Sequence, residues 1–107
     1  MECFAETAKL AKILNNPKLI LRHYGKIRAR RILARLDEFT AAQTLAQIPS
    51  DPPPRRHLLK GKFEGKFAVD ISKNYRLIFE GYDKDDCLFV DKDEIVTVQI
   101  IEIEDYH

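Results

Sequence analysis

The sequence predicts an α+β fold, in which N-terminal helices pack on a small antiparallel sheet within one domain of residues 1–107. Three observations lead to this prediction. Apolar residues recur at helical spacing between residues 6 and 39, and a proline-rich break follows at residues 49–54. After the break, apolar and polar residues alternate in short segments, as they do in half-buried strands. A chain of this length suits one domain and can bury a core of its own.

Two helices are expected before the proline-rich break. The first covers about residues 6–14, where apolar side chains share one face. The second begins at Asn16 and Pro17, because an asparagine side chain caps the first turn and proline there lacks only an amide hydrogen that would be unpaired. It continues to residue 39, with Gly25 as a point where it could break, and residues 41–48 add a last helical turn. The apolar arc of the second helix consists of Ala29, Ile32, Leu33, Leu36 and Phe39.

Three arginines lie on the flank of this apolar arc: Arg28, Arg31 and Arg35. A row of this kind is usually a solvated helix face. It is also a candidate RNA-binding surface, because guanidinium groups pair well with phosphate oxygens. The sequence leaves both interpretations open.

The second half of the chain predicts an antiparallel meander. Residues 67–71 alternate in polarity, residues 72–74 have the composition of a turn, and residues 75–79 return as a second strand. Residues 87–90 form a short third strand. Residues 95–103 form a long final strand that is apolar on both faces in its second half, which indicates a well-covered position.

The net charge of the whole chain conceals a split between its two parts. The formal net charge is +1. Residues 1–76 contain 16 lysines and arginines against 7 acids, a net charge of +9, whereas residues 77–107 contain 2 against 10, a net charge of −8. This asymmetry predicts a positive surface for a polyanion. The alternative is that the two parts neutralise each other across one small domain.

Simple patterns exclude several classes of protein. No apolar run approaches the ~18–20 residues that cross a bilayer, and the N-terminus lacks the pattern of a signal peptide. Cys3 and Cys87 are too few for a disulfide framework, which predicts a reduced, cytoplasmic protein; Cys87 follows the pattern of an apolar strand and is expected in the core. Phosphate-loop and dinucleotide motifs are absent and the histidines and cysteines lack zinc spacing, so no cofactor or metal is expected.

The acidic segment at residues 83–94 superficially resembles a calcium-binding loop. Its sixth place is Leu88, where such a loop needs glycine, so we expect a solvated hairpin loop instead. The loop contains six acids and two lysines, a net charge of −4. Because this charge repels RNA, the loop is expected to face solvent, away from any RNA-binding surface.

Five side chains are candidates for catalytic chemistry. His57 and Lys60 lie three residues apart at the start of the sheet. Alternation assigns Arg76 to the strand face opposite its apolar neighbours Tyr75, Leu77 and Phe79. Tyr106 and His107 end the chain. Metal-free cleavage of RNA requires a base for the ribose 2′-hydroxyl, cations for the charge that develops at phosphorus and an acid for the leaving oxygen, and these residue types supply all three. The candidate RNA-binding residues are basic: Arg28, Arg31, Arg35, Arg55, Arg56, Lys62 and Lys73.

Segments spread over nearly the whole chain resemble the HigB-type killer proteins, members of the RelE/ParE superfamily of bacterial type II toxins. The segments are RHYG at 22–25, RL at 35–36, AA at 41–42, RHLLKG at 56–61, FAVD at 67–70, YRLIFE at 75–80 and IEIEDYH at 101–107. The resemblance implies a RelE/ParE-like fold with a short first strand at residues 2–5. It also implies a partner, a HigA-like antitoxin with a helix-turn-helix DNA-binding fold, and a toxin–antitoxin hetero-oligomer.

Members of this family that are ribonucleases cleave mRNA in the ribosomal A site without a metal. The resemblance assigns the catalytic set to His57, Lys60, Arg76, Tyr106 and His107 in this sequence. Lys60 and Arg76 would bind phosphate and stabilise the transition state. One of the two histidines would be the general acid, and the other, or Tyr106, would orient or activate the 2′-hydroxyl.

Two other functions remain open at the level of sequence. The first is a ParE-like toxin of the same fold, which inhibits DNA gyrase by binding and carries out no chemistry. The histidine and tyrosine at the C-terminus argue against it, because a pure binder does not need them. The second is a detoxified or regulatory partner whose basic groove holds an acidic segment of the antitoxin.

Overall fold

The computed structural model describes residues 1–106. Its regular elements are β1 (Glu2–Ala5), α1 (Ala8–Leu14), α2 (Pro17–Ala41), β2 (His57–Leu58), β3 (Phe67–Ser72), β4 (Tyr75–Tyr82), β5 (Leu88–Phe89) and β6 (Thr97–Asp105), with single 3₁₀ turns at Leu45–Gln47 and Gly61–Phe63. The α+β class is confirmed. The short first strand implied by the family resemblance is present as β1.

Both helices begin at side-chain caps. The amide of Leu10 donates to Thr7 Oγ1 at 3.1 Å at the start of α1, and the amide of Lys18 donates to Asn16 Oδ1 at 3.0 Å at the start of α2. Helix α2 bends at Gly25, whose φ of 82° and ψ of 167° are non-helical. Such a positive φ favours glycine, which explains why the helix breaks at this residue. The predicted helical turn near residue 45 is a 3₁₀ turn.

The sheet is mixed, and the expectation of a purely antiparallel sheet is wrong. The strand order is β1-β6-β4-β3-β2, with β5 paired to the far end of β4. The pairs among β2, β3, β4, β5 and β6 are antiparallel, but β1 pairs with β6 in parallel. The meander determines strand direction through its short connections. Strands β1 and β6 lie at opposite ends of the chain, so no hairpin constrains their relative direction.

The helices cover one face of the sheet only. The main core joins Ile20, Ile32 and Phe39 of α2 to Leu77 and Phe79 of β4, and the rings of Phe39 and Phe79 meet edge to face at 4.9 Å. A second, smaller cluster lies on the other face of the sheet, which we call the outer face. It consists of Leu59, Ala68 and Ile78 with Phe63 and Ile101 packed against them, and includes no helix residue.

Arg35 is inside the protein, which contradicts its prediction as an RNA-binding residue. It is 6% exposed, and its Nη1 donates to Glu38 Oε1 at 2.9 Å, while its buried Nε has no partner within residues 1–106. The reason is helical geometry. Arg35 precedes Phe39 by four residues and therefore lies about 40° from it around the helix axis, on the buried arc rather than on its flank.

Cys87 is exposed, so its expected place in the core is also wrong. The third strand of the meander is only the two-residue β5, and both of its residues are exposed. An apolar run on a projecting hairpin looks the same in sequence as an apolar run in the core. Cys3 is the half-buried cysteine, and burial raises the pKa of its thiol to about 11, although the N-terminal ammonium group opposes the shift.

The acidic loop faces solvent, as expected. Residues 84–94 are all exposed, and the chain becomes buried again only at Ile95. The final strand runs over residues 97–105, two residues later than predicted at each end. Within residues 1–106, neither helix combines the length and apolarity needed to cross a membrane.

Candidate active site

Three charged side chains form a row across the outer face of the sheet. Asp70 of β3 pairs with Arg76 of β4, and Arg76 pairs with Glu104 of β6. Residues directly opposite each other on neighbouring strands project from the same face. The next residue along β4, Leu77, is buried beneath the helices, so alternation places Arg76 on the outer face, as predicted.

The guanidinium of Arg76 is held on several sides. Its Nε donates to Glu104 Oε2 at 2.7 Å, and the side chains of this pair are only 18% and 17% exposed. The ring centroid of Tyr106 lies 4.4 Å from Arg76 Cζ, and that of Phe63 lies 5.9 Å away. A hydrogen-bonded ion pair and cation–π contacts therefore fix the orientation of a mostly buried cation.

Arg55 is a second ordered arginine at the same row. It has a positive φ of 47°, and its Nε and Nη2 donate to the two carboxylate oxygens of Asp70 at 2.6 and 2.9 Å. The hydrogen bond to Asp70 raises the pKa of Arg55, burial opposes the shift, and Asp70 and Tyr106 add to it. The aromatic residue Tyr106 is thus close to both Arg55 and Arg76.

Tyr106 is held in place by the sheet. Its amide donates to the carbonyl of Asn74 at 2.7 Å, and its side chain is half-buried. This backbone bond anchors the residue just beyond β6 to the β3–β4 turn. The predicted catalytic residue His107 lies outside the described residues.

His57 projects from the outer face in the row next to Arg76. It pairs with Ala68, which in turn pairs with Ile78, and His57 itself is half-buried. The His57 Nδ1 lies 2.7 Å from the carbonyl oxygen of Arg55. A carbonyl can only accept a hydrogen bond, so Nδ1 carries the proton, and in the neutral ring Nε2 has the free lone pair.

Two lysines border this face. Lys60 is exposed at the turn that follows β2, and Lys62 is 79% exposed on its side chain, with its Nζ 3.9 Å from Glu104 Oε1. Of the five predicted catalytic residues, the structure brings Arg76 and Tyr106 into contact. It places His57 on the same face and Lys60 at an exposed position after the strand that carries His57.

The helix arginines reach the same end of the sheet from the other side. Arg28 Cζ lies 4.0 Å from the ring centroid of Tyr75, and Arg31 Nη1 donates to the carbonyl of Ile71 at 3.4 Å. Both contacts lie beside the β3–β4 turn, where Lys73 is also exposed. Three of the predicted RNA-binding residues, Arg28, Arg31 and Lys73, therefore surround this turn.

Arg56 has a different role from its neighbour Arg55. Its Nε donates to the carbonyl of Ile48 at 2.8 Å, its amide donates to that of Pro49, and burial lowers its pKa. These contacts tie the segment after the prolines to the 3₁₀ turn before them. Arg56 therefore stabilises this loop and does not belong to the charged row.

The acidic loop is remote from Arg76 along β4, although other charges of the two chain parts interact. Glu104 forms ion pairs with Arg76 and Lys62 of the first part. Asp93 of the acidic loop acts on Arg56, where it raises the pKa against the larger effect of burial. The acidic loop begins after Tyr82, the end of β4, which is six residues and roughly 20 Å along the strand from Arg76. Because the Debye length at physiological salt is about 8 Å, its field at Arg76 is largely screened.

Sequence reasoning missed three residues of the site: Asp70, Glu104 and Phe63. The two acids occupy outward positions of their strands, but only the register shows that they flank Arg76. Phe63 lies on a 3₁₀ turn between strands, where no periodic pattern assigns a face. The charged row is an open surface rather than a pocket. Cavities of about 440 and 380 Å³ lie elsewhere, beside β1 and beside the prolines.

Residues 1–106 contain no cluster of histidine, cysteine and acidic side chains that could hold a metal ion. The chain matches no protein-family model and no curated protein sequence.

Proposed function

We propose that this protein is a HigB-type toxin of the RelE/ParE superfamily, a metal-independent endoribonuclease that cleaves mRNA on the ribosome and is neutralised by a HigA-like antitoxin. The observation that carries the proposal is the contact between Arg76 and Tyr106 on the open outer face. An oriented guanidinium beside a phenol, bordered by exposed lysines, matches a phosphodiester better than a small apolar ligand.

His57 is the general base in this proposal. Its Nδ1 is held by the carbonyl of Arg55, which directs the basic Nε2 away from the backbone. The 2′-hydroxyl proton moves to Nε2 as the 2′-oxygen bonds to phosphorus. The bond from phosphorus to the 5′-oxygen breaks, leaving a 2′,3′-cyclic phosphate and a 5′-hydroxyl after the departing oxygen takes a proton.

Arg76 and Lys60 stabilise the negative charge that develops on the phosphate oxygens. Tyr106 or His107 supplies the proton to the leaving oxygen. Arg28, Arg31 and Lys73 sit around the β3–β4 turn and would contact flanking phosphates, and the distance of the acidic loop from this turn supports that path for the RNA.

The test compares wild-type protein with Arg76→Ala and Arg30→Ala, each induced in a bacterial host without antitoxin. Arg30 is an exposed arginine of α2 and serves as the matched control. Wild type and Arg30→Ala should arrest growth and create new mRNA 5′ ends. Arg76→Ala should lose at least about 100-fold of the cleavage, because it removes a charged transition-state contact.

Two results would overturn the proposal. One is growth arrest by Arg76→Ala equal to that of wild type, with intact mRNA in both; inhibition of supercoiling by purified protein would then identify a gyrase-binding toxin. The other is normal growth with wild-type protein, as expected of a regulatory partner. Co-expression of a small helix-turn-helix protein encoded next to the gene should restore growth if that protein is the antitoxin.

A further inference from the structure

The carboxylate of Glu104 contacts the predicted phosphate-binding arginine at one particular nitrogen. It accepts from Arg76 Nε at 2.7 Å, and within residues 1–106 this is the hydrogen bond that the guanidinium donates. A guanidinium has five donors in a rigid plane, four of them on the two terminal nitrogens. A bond at Nε therefore leaves the terminal nitrogens for a second anionic ligand.

The surroundings of Glu104 indicate that its contact with Arg76 is a fixed part of the fold rather than a chance surface contact. Its side chain is 17% exposed, and it lies at the β6 end of the charged row, directly opposite Arg76. Glu102, two residues earlier on the same strand, is exposed and has no ion pair within the described part of the chain. The sheet thus buries one of two nearby glutamates, against the arginine.

We propose that Glu104 is a positioning residue for Arg76. The carboxylate at Nε and the ring of Tyr106 on the guanidinium face together fix the plane of the cation, so that both terminal nitrogens point at one phosphate. This inference rests on the proposed function, because it assumes that Arg76 binds the phosphate of the RNA. The contrasting idea is that Glu104 is an internal competitor that occupies Arg76 until RNA displaces it.

Alanine and glutamine at position 104 separate the two ideas. Glutamine keeps an oxygen that accepts from Nε but removes the charge, whereas alanine removes both. A charged hydrogen bond typically contributes enough to change an equilibrium by about 10- to 100-fold. Positioning predicts that Glu104→Ala weakens RNA binding by about 10-fold or more and that Glu104→Gln stays within about threefold of wild type.

The binding experiment uses purified full-length protein and a fluorescent five-nucleotide RNA with a 2′-O-methyl sugar at every position, so that no 2′-hydroxyl is available for cleavage. Fluorescence anisotropy gives the affinity of wild type, Glu104→Ala, Glu104→Gln and the control Glu102→Ala, which should stay within about twofold of wild type. In the Arg76→Ala background, Glu104→Ala should change RNA binding by no more than about twofold, because its remaining ion-pair partner, Lys62, is exposed and 3.9 Å away. Thermal unfolding shows that each variant is folded.

A second readout does not depend on RNA. The Nε–H signal of Arg76 in a proton–nitrogen NMR spectrum should exchange slowly with water in wild type and Glu104→Gln, and rapidly in Glu104→Ala. Unchanged exchange in Glu104→Ala would overturn the positioning role, and so would tighter RNA binding by that variant. If instead Arg76→Ala binds RNA as well as wild type while the exchange still depends on Glu104, the positioning stands and the proposed function fails.

Discussion

Replacing Gly81 by alanine tests the packing at the end of β4 that lies away from the charged row. Gly81 is buried, and a methyl group built on its backbone would lie 2.9 Å from both Cγ1 and Cγ2 of Ile95 and closer still to Cδ1. Carbon atoms in good contact are about 3.5–4.0 Å apart. Ile95 would therefore have to move by more than half an ångström.

Ile95 has little freedom to make this movement. It is fully buried, and its carbonyl accepts from the amide of Leu45 at 3.0 Å, which links it to the first 3₁₀ turn. The amide of the next residue, Val96, donates to the carbonyl of Tyr82 at 2.9 Å. Overpacking in a core costs about 1–3 kcal/mol, and the three contacts with one tethered side chain place Gly81→Ala at roughly 2–3 kcal/mol.

Chemical unfolding in urea measures this loss, and a double-mutant cycle identifies its cause. Ile95→Val removes Cδ1, the atom that an added methyl group would approach most closely. In wild type this truncation should cost about 0.5–1.5 kcal/mol, as isoleucine-to-valine changes in cores do. In the Gly81→Ala background, Ile95→Val should be neutral or stabilising, so the two substitutions should show a coupling free energy of about 1 kcal/mol or more.

The control is Ile32→Val, because Ile32 is a fully buried isoleucine on α2, whereas the three atoms nearest the added methyl group all belong to Ile95. Its cost should add to that of Gly81→Ala. The reasoning is refuted if Gly81→Ala unfolds like wild type. A second contradictory result would be that the unfolding free-energy costs of Ile95→Val and Ile32→Val add equally well to the cost of Gly81→Ala.

Two further predictions concern residues that the sequence assigned to the wrong environment. Iodoacetamide at pH 8 should modify the exposed Cys87 first, because burial raises the pKa of Cys3 to about 11 and leaves about one thiolate in a thousand. Mass spectrometry of the modified peptides checks the order, Cys87→Ser should leave only the slow reaction, and faster labelling of Cys3 would contradict the assignment. Arg35→Met should keep the free energy of unfolding within about 1 kcal/mol, since methionine retains the packing and removes the unpaired buried Nε, whereas Arg35→Ala should lose about 2 kcal/mol or more. Equal losses from the two Arg35 variants in urea would show that the guanidinium itself is required.

Local patterns predicted the elements well where the chain interacts with itself over short distances. The Asn16 cap and the break at Gly25 depend on neighbouring atoms and on the backbone freedom of glycine, and both are present. Strands β3 and β4 were also predicted, because alternation with a short turn between them specifies a hairpin. The outward position of Arg76 followed from the same alternation.

Patterns failed where a residue's environment depends on distant parts of the chain. Arg35 has the residue type of a surface position, and only the packing of α2 on the sheet buries it. The apolar run after Cys87 looks like a core strand, but it lies on a hairpin where Cys87 and both residues of β5 are exposed. The parallel pairing of β1 with β6 joins segments from opposite ends of the chain, which local sequence cannot orient.

The sequence by itself determined the α+β class, the helix caps and breaks, and the residue types available for chemistry, because these depend on short-range periodicity and on the properties of single side chains. Only the tertiary structure decided which of those side chains meet. Strand register places Asp70 and Glu104 on either side of Arg76, and the backbone hydrogen bond from Tyr106 to Asn74 holds Tyr106 beside it. Register is a long-range property, since a shift of one residue turns every side chain of a strand to the other face.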